Sequence, residues 1–435
     1  MNAILALLIF IVIYIFIALE TIESTIVVIL GAFVMLAFRL LTFEEAIHAI
    51  DLNVIFLLVG MMVSVYTLSQ TGFFEWVATS LAKKSKGNPV TIALLFLSAT
   101  AVMSAFLDNV TTIILMAPVS ILIMQLLEIS PVPLLILEAI SSNIGGTATL
   151  IGDPPNIVVG SQAGLTFNDF LMNASPAILI VFTVFLGSSY LLLRKAWHVP
   201  DSIKIRVTQA EPALAIVDKK KMQRALGVLG LILIGFFTQS LTGIETGIIA
   251  LTGSMLMLFL CRVEADHSFL HVEWNVIFFF IGLFIIVAGL EANGIIEWLG
   301  KSLLGLAGSN HFVLCIIILV GSALISTVLN NIPFTIAMVP MIKQIVQTLA
   351  LEQGITDPAI IDKQIAHPLW WSLVLGVCLG GNGTLIGSSV NVIAAKISTK
   401  NNYPISFLHF TKYGFPFMAQ SLVLSIAFIW LKFFN

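Results

Sequence analysis

Residues 145–158 read GGTATLIGDPPNIV, and residues 380–393 read GGNGTLIGSSVNVI. Both stretches interrupt long apolar runs, and both carry paired glycines and a polar string that a membrane helix normally avoids. The first adds Asp153 followed by Pro154 and Pro155. Glycine loosens a helix and proline removes a backbone donor, so each stretch reads as a helix broken on purpose. An interruption written twice belongs to a duplicated unit.

The duplication extends outward from the breaks. Residues 52–83 (LNVIFLLVGMMVSVYTLSQTGFFEWVATSLAK) align with 274–305 (WNVIFFFIGLFIIVAGLEANGIIEWLGKSLLG) at an offset of 222. This pairs Asn53 with Asn275, Gly60 with Gly282, Gly72 with Gly294, Glu75 with Glu297 and Trp76 with Trp298. The offset holds to Asp108-Asn109 against Asn330-Asn331 and to Pro118 against Pro340. A polar loop near 351–366 then raises it to 235, which superposes the two quoted breaks. Such internal symmetry marks a repeat architecture.

The solvent of this repeat is lipid. Of the 435 residues, 59% are hydrophobic and 10% charged, with a mean hydropathy of +1.07. Soluble domains carry roughly 25% charged residues, so the chain is read as an all-α polytopic membrane protein. A net charge of −3 argues against nucleic acid, and Cys261, Cys315 and Cys378 form no paired motif. The segment from Ala3 to Ile17 lacks a basic leader and a cleavage site and is read as a retained helix.

Copy one divides into helices near 3–18, 25–41 and 53–70, a two-armed segment at 90–126 broken at Asp108-Asn109, a helix broken at 145–155, and a last helix at 174–194. Copy two has helices near 224–241, 246–262 and 274–292, arms at 311–349, a broken helix at 368–399 and a final helix at 412–433. With the two-armed segments as re-entrant hairpins, each copy crosses five times. An odd count makes the second copy enter from the opposite face, so the expected fold is an inverted repeat of two five-helix halves. The domains are 1–195, a linker at 196–222, and 223–435.

On this topology fifteen of the twenty Lys and Arg share one face, leaving Arg39, Lys301, Lys343, Lys363 and Lys432 on the other. Basic loops stay in the cytoplasm, so the linker is cytoplasmic and both termini lie outside the cytoplasmic membrane. The polar linker reads as a tether.

Backbone without helical hydrogen bonds survives at membrane depth only where protein or water surrounds it. The turns 106–112 and 328–335 and the breaks 145–156 and 380–391 are such places. They gather Asn109, Thr111, Thr112, Asn143, Thr147, Thr149 and Asn156 from copy one. Copy two adds Asn330, Asn331, Thr335, Asn382, Thr384, Ser388 and Asn391. Any one of these suits an interhelical cap; the whole set, repeated, suits solute binding. Asp108 aligns with Asn330 and Asp153 with Ser388, so copy one keeps two acids where copy two is neutral. An acid at the bilayer centre costs roughly 2.5–3.5 kcal/mol on insertion scales and is a functional candidate by default. Asp108 and Asp153 are therefore the expected proton-coupling residues, with Glu138 a third in the run LLILEAISS.

Other residues read as structural. Glu75 and Glu297 share a job near a helix end, and Cys378 reads as a small apolar filler. Lys343 is given no role and His367 a helix-start one. No phosphate loop, H-E-x-x-H or G-x-S-x-G appears, so the chain is read as neither an ATPase nor an enzyme, with no cofactor beyond an ion gradient. With no Lys or Arg in the turns and breaks, the site suits protons, Na⁺ or a neutral hydroxylated solute.

The motifs LDNVTTIILMAPV (107–119) and NIGGTATLIGDPPNIVVGS (143–161), with NNIPFT and GGNGTLIGSSVN, resemble the ion transporter superfamily. Within it they look like the arsenite-efflux (ArsB) and pink-eyed-dilution (P) protein branch, over nearly the whole chain. The resemblance implies ten or so helices with two hairpins and an alternating-access motion. It also implies export of arsenite or antimonite against inward proton flow, with Asp108 and Asp153 carrying the proton. Asn109, Asn156, Asn331 and Asn391 would then bind the neutral solute. Alternatives on the same fold are a Na⁺/H⁺ antiporter, an organic-anion carrier, and a passive channel working with a separate arsenical ATPase. Relatives with this fold are often homodimers, which is an analogy only.

Overall fold

The computed structural model describes residues 2–19, 22–197, 199–209, 211–308 and 310–435, and all regular structure among them is helical. Copy one contributes α1 (Asn2–Leu19), α2 (Ser24–Ala37), α3 (Leu52–Ser69), α4 (Phe73–Lys84), α5 (Pro89–Phe106), α6 (Asn109–Leu126), α7 (Val132–Gly146), α8 (Pro154–Ala163) and α9 (Phe167–Ala196). Copy two repeats them as α10 (Lys219–Phe237), α11 (Thr246–Cys261), α12 (Trp274–Ala292), α13 (Ile295–Ala307), α14 (His311–Val328), α15 (Asn331–Glu352), α16 (His367–Gly380), α17 (Ser389–Lys400) and α18 (Phe407–Phe433). Eight helices among the described residues are long and apolar enough to cross a membrane, and four shorter apolar ones accompany them.

Local chemistry starts equivalent helices in the same way. Asn88 caps α5 by accepting from the backbone N–H groups of Val90 and Thr91, and Asn310 caps α14 from Phe312 and Val313. Gly72 and Gly294 precede α4 and α13 in left-handed conformation at φ 77° and 75°, where a side chain would be strained. Three helices begin about five to seven residues before the apolar runs: α9 behind a Thr166–Asp169 capping box, α10 behind Asp218 and α18 behind Ser406. Capping extends these helices over polar turns that hydropathy leaves out.

The copies pack reciprocally. Helix α3 lies on α11 and α2 on α12; α6 lies on α17 and α8 on α15. Reciprocal pairing of this kind is what two copies of one unit make when they pack on each other. It is visible atom by atom: a Cβ at Gly60 would meet the Ala250 backbone at 2.5 Å, and one at Gly282 would meet Val28, the equivalent of Ala250, at 2.6 Å. Small residues let these backbones touch, and close packing replaces the missing hydrophobic drive between helices in lipid.

Helices α5 and α7 run side by side in register, with Ala101 against Gly145 and the Thr149 hydroxyl donating to the Ala105 carbonyl. Helix α5 thus ends where α7 unwinds, and α8 adds ten residues beyond the unwound stretch. The α5–α6 arms turn back beside the middle of the interrupted helix. The linker is more than a tether. It forms a helix at Asp201–Thr208, pairs Arg206 with Glu128 at 2.8 Å, and donates from the Val217 N–H to the Thr71 carbonyl.

Candidate functional site

Each break is held open by its own asparagine. Helix α7 stops at Gly146 and α8 starts at Pro154; between them the backbone carbonyls have lost their helical donors. Asn156 Nδ2 supplies a substitute, donating to the carbonyls of Gly146 (3.1 Å), Thr147 (3.3 Å) and Thr149 (2.8 Å). Asn391 Nδ2 does the same for Gly381 (2.8 Å) and Thr384 (2.9 Å). Thr384 Oγ1 donates to the Thr327 carbonyl at 2.5 Å, as Thr149 does to Ala105, so each break is pinned to its hairpin. Thr112, Thr147 and Thr335 donate to carbonyls four residues back in their own helices.

The two breaks also reach each other. Asn143 Nδ2 donates to the side-chain oxygens of Asn382 (2.9 Å) and Asn391 (3.1 Å), and its Oδ1 accepts from Ser388 Oγ at 3.1 Å. The equivalent of Asn143 in copy two is Cys378. Its Sγ donates to Asn156 Oδ1 at 3.3 Å, and it faces Asp153, the equivalent of Ser388. Cys378 is therefore a cross-copy contact and not the inert filler its apolar surroundings suggest.

The two acids sit in different surroundings. Asp108 caps α6, its Oδ2 accepting from both the N–H and the hydroxyl of Thr111 at 2.8 Å, and it lines a cavity of about 500 Å³. Asn330, its equivalent, lines the same cavity, caps α15 at Ile332 and donates to Ser389 at 3.1 Å. Asp153 is 1% exposed, and neither carboxylate oxygen has a hydrogen-bond partner among the described residues. Asn109 and Asn331, the first residues after the two hairpin turns, face it with Cys378, but none closes a bond on it. A buried carboxylate whose facing donors stop short of it is unfavourable as a bare anion.

The structure thus gathers sixteen of the seventeen residues put forward from the sequence around one junction. Glu138 is the exception. It is fully buried in α7, accepts from Ser120 Oγ at 2.6 Å, and does not line the cavity. The cavity in turn exposes residues the sequence did not single out: Glu23, Glu273 and Lys396 are its other charged lining groups, beside Asn275. On the far side of the junction a smaller cavity of about 180 Å³ is lined by Gln162, Glu291 and Lys343. There Gln162 Nε2 donates to Asp51 at 2.6 Å, and Lys343 Nζ donates to Gln162 Oε1 at 3.0 Å. Apart from Lys343, which lies midway along α15, these residues lie at or near helix ends, where charge reads as interfacial; only the repeated Asn53 and Asn275 signal them in sequence.

The whole chain has close relatives. It is 35% identical over 99% of its length and 99% of that of an uncharacterised transporter of Mycobacterium bovis. Identity is 33% to an uncharacterised transporter of Synechocystis, over 95% of this chain and 94% of that one. It is 30% to the P protein of Mus musculus, across 96% of this chain and 59% of the mouse protein. In fold it is similar to the YdaH transporter of Alcanivorax borkumensis, with a TM-score of 0.54, 15% identity, and 88% and 85% of the two chains covered. Residues 14–376 match the CitMHS family, described as citrate transporter, and the chain belongs to that family of membrane transporters.

Proposed function

We propose that the chain is a proton-coupled secondary transporter that exports a small neutral hydroxylated solute of the arsenite or antimonite class across the cytoplasmic membrane. The observation that carries this reading is Asp153, buried at the meeting point of both hairpin turns with both oxygens unpartnered among the described residues. Protonation removes its cost, and deprotonation is tolerated only when the surroundings rearrange. That coupling of occupancy to conformation is what exchange requires. Asp108, already supplied with donors by Thr111, is placed to pass the proton to the cavity. Asn109 and Asn331 offer neutral donors and acceptors to a hydroxylated solute, while Asn156 and Asn391 hold the breaks that position them.

The membrane arrangement follows from counting. Helices α1, α2, α3, α7–α8 and α9 cross once each, and a hairpin adds either no crossing or two, so the count per copy stays odd. An odd count inverts the second copy. With basic loops inside, both termini lie outside and the larger cavity opens to the cytoplasm.

A second reading, an organic-anion carrier, is supported by the family description and by Lys396 at the cavity. Against it, Lys396 shares that lining with the acids Glu23, Asp108 and Glu273. Uptake into inverted vesicles under an imposed pH gradient tests the choice. Arsenite accumulation that collapses with a protonophore and is lost in Asp153→Asn is expected. Citrate accumulation without arsenite movement overturns the solute, Na⁺-dependent proton release overturns the coupling, and downhill flux alone makes the chain a channel.

A further inference from the structure

The far side of the junction is the narrower one, and a set of paired residues draws it together. Asn53 Nδ2 donates to Ser161 Oγ at 3.1 Å, and its Oδ1 accepts from the Gly247 N–H at 2.6 Å. Beside it, Asp51 holds Gln162. Together these bonds tie the start of α3 to α8 and to α11. The repeat supplies the equivalents: Asn275 for Asn53, Lys396 for Ser161, Thr25 for Gly247 and Glu273 for Asp51. All four line the open 500 Å³ cavity. The Asn53 and Ser161 side chains are half-buried, whereas Asn275 and Lys396 are exposed. Neither Glu273 nor Lys396 has a side-chain partner among the described residues.

We propose that Glu273 and Lys396, with Asn275, form the second closure of this transporter, an ion pair that shuts the larger cavity when the Asn53–Ser161 closure opens. The inference rests on the alternating-access reading above. Two copies of one architecture reach the second state by exchanging their conformations, so what copy one's helix ends do now, copy two's do then. Position 396 must then approach the start of α12 as Ser161 approaches the start of α3. The lysine stem spans what serine spans by closer contact, and it meets a carboxylate in place of an amide. The two contacts therefore differ in kind: Asn53–Ser161 is neutral, whereas Glu273–Lys396 is an ion pair that salt screens.

Paired cysteines test the exchange directly, since the three native cysteines are buried and can remain. Oxidation of Asn53→Cys/Ser161→Cys is expected to form a disulfide and stop solute exchange until reduced. Oxidation of Glu273→Cys/Lys396→Cys is expected to do the same from the opposite state. In the protein carrying all four cysteines, no molecule should hold both disulfides. Molecules holding both overturn the second closure. A 273–396 disulfide that never forms, while the 53–161 disulfide blocks exchange, also overturns it and leaves the transporter reading standing. Exchange that runs at full rate through the 53–161 disulfide overturns that reading and the closure with it. Charge reversal gives an independent check. Glu273→Lys and Lys396→Glu should each slow exchange by about fivefold or more, within the range of ordinary coupling free energies. The double reversal should recover most of the rate; a double variant as slow as the slower single overturns the pair.

Discussion

The two breaks have the same architecture and opposite chemistry. In both, an asparagine one turn into the second half-helix satisfies the carbonyls that the break released, and a threonine pins the loop to a hairpin arm. Where they differ, the copy-two break is bonded across to copy one: Ser388 donates to Asn143, and Asn143 to Asn382 and Asn391. Around the copy-one break, Cys378 of copy two stands in place of the amide and Asp153 in place of the hydroxyl, and the carboxylate is left without a partner among the described residues. What the copies share holds the fold. What they do not share is available for function, because satisfied groups have nothing left to give.

The largest effect expected from this contrast is on coupling. Asp153→Asn should reduce proton-driven exchange by about a hundredfold, near the upper end of coupling free energies, while raising or preserving thermal stability because a buried charge is removed. Ser388→Ala deletes one neutral hydrogen bond worth about 1 kcal/mol and should leave exchange within a few-fold of the parent. Flux and melting temperature measured on both variants break the comparison if they respond alike. The asparagines come next and should respond alike. Asn156→Ala frees three carbonyls and Asn391→Ala two, so they should cost about 3 and about 2 kcal/mol in unfolding free energy. A loss of exchange with no loss of stability would move these residues from the architecture to the solute.

Much of this was legible from residues alone, for a physical reason. A membrane helix cannot lose its backbone hydrogen bonds without residues that break and re-satisfy it, so GGTATLIGDPPN and FLDNVTT announce themselves against the apolar background. The duplication then separated the acid from the scaffold, since Asp153 aligns with Ser388. What stayed hidden depends on distance in space. Lys396 and Glu273 belong to helix ends that look interfacial, and only folding brings both to one cavity. Lys343 and Gln162 meet across 181 residues, which no local pattern encodes. Glu138 stands apart from both: Ser120 donates to its Oε1, its Oε2 has no hydrogen-bond partner among the described residues, and the cavity does not reach it.

Equivalent glycines sharpen the comparison further, because sequence makes them equal and packing does not. A Cβ at Gly60 meets the backbone of Ala250 and Leu251 at 2.5 and 2.6 Å, and backbone cannot give way. At Gly282 the first atom met is Val28 Cγ1 at 2.6 Å, with backbone only at 3.2 Å, and a side chain can rotate. Gly60→Ala should therefore cost about 3 kcal/mol and Gly282→Ala about 1 kcal/mol, within the range for overpacking. Equal costs in denaturation would mean that the α2–α12 contact is as rigid as the α3–α11 contact.

The smallest effect concerns the linker. Gly72 and Gly294 start α4 and α13 in the same left-handed conformation, so alanine at either adds the same backbone strain, about 1–2 kcal/mol. At Gly294 nothing lies within 4 Å, and strain is the whole of the cost. At Gly72 the new Cβ would fall 1.9 Å from the Ala215 carbonyl oxygen, in the segment whose Val217 N–H bonds to Thr71. That contact must open, and the linker must lift from the base of the first hairpin. Limited proteolysis should then cut the linker of Gly72→Ala faster than that of Gly294→Ala at similar overall stability. Equal cleavage would mean that the linker does not depend on this contact. Faster cleavage would make the linker a strap on copy one that copy two lacks, and a strap on one half of a symmetric device sets which of its two states rests lower.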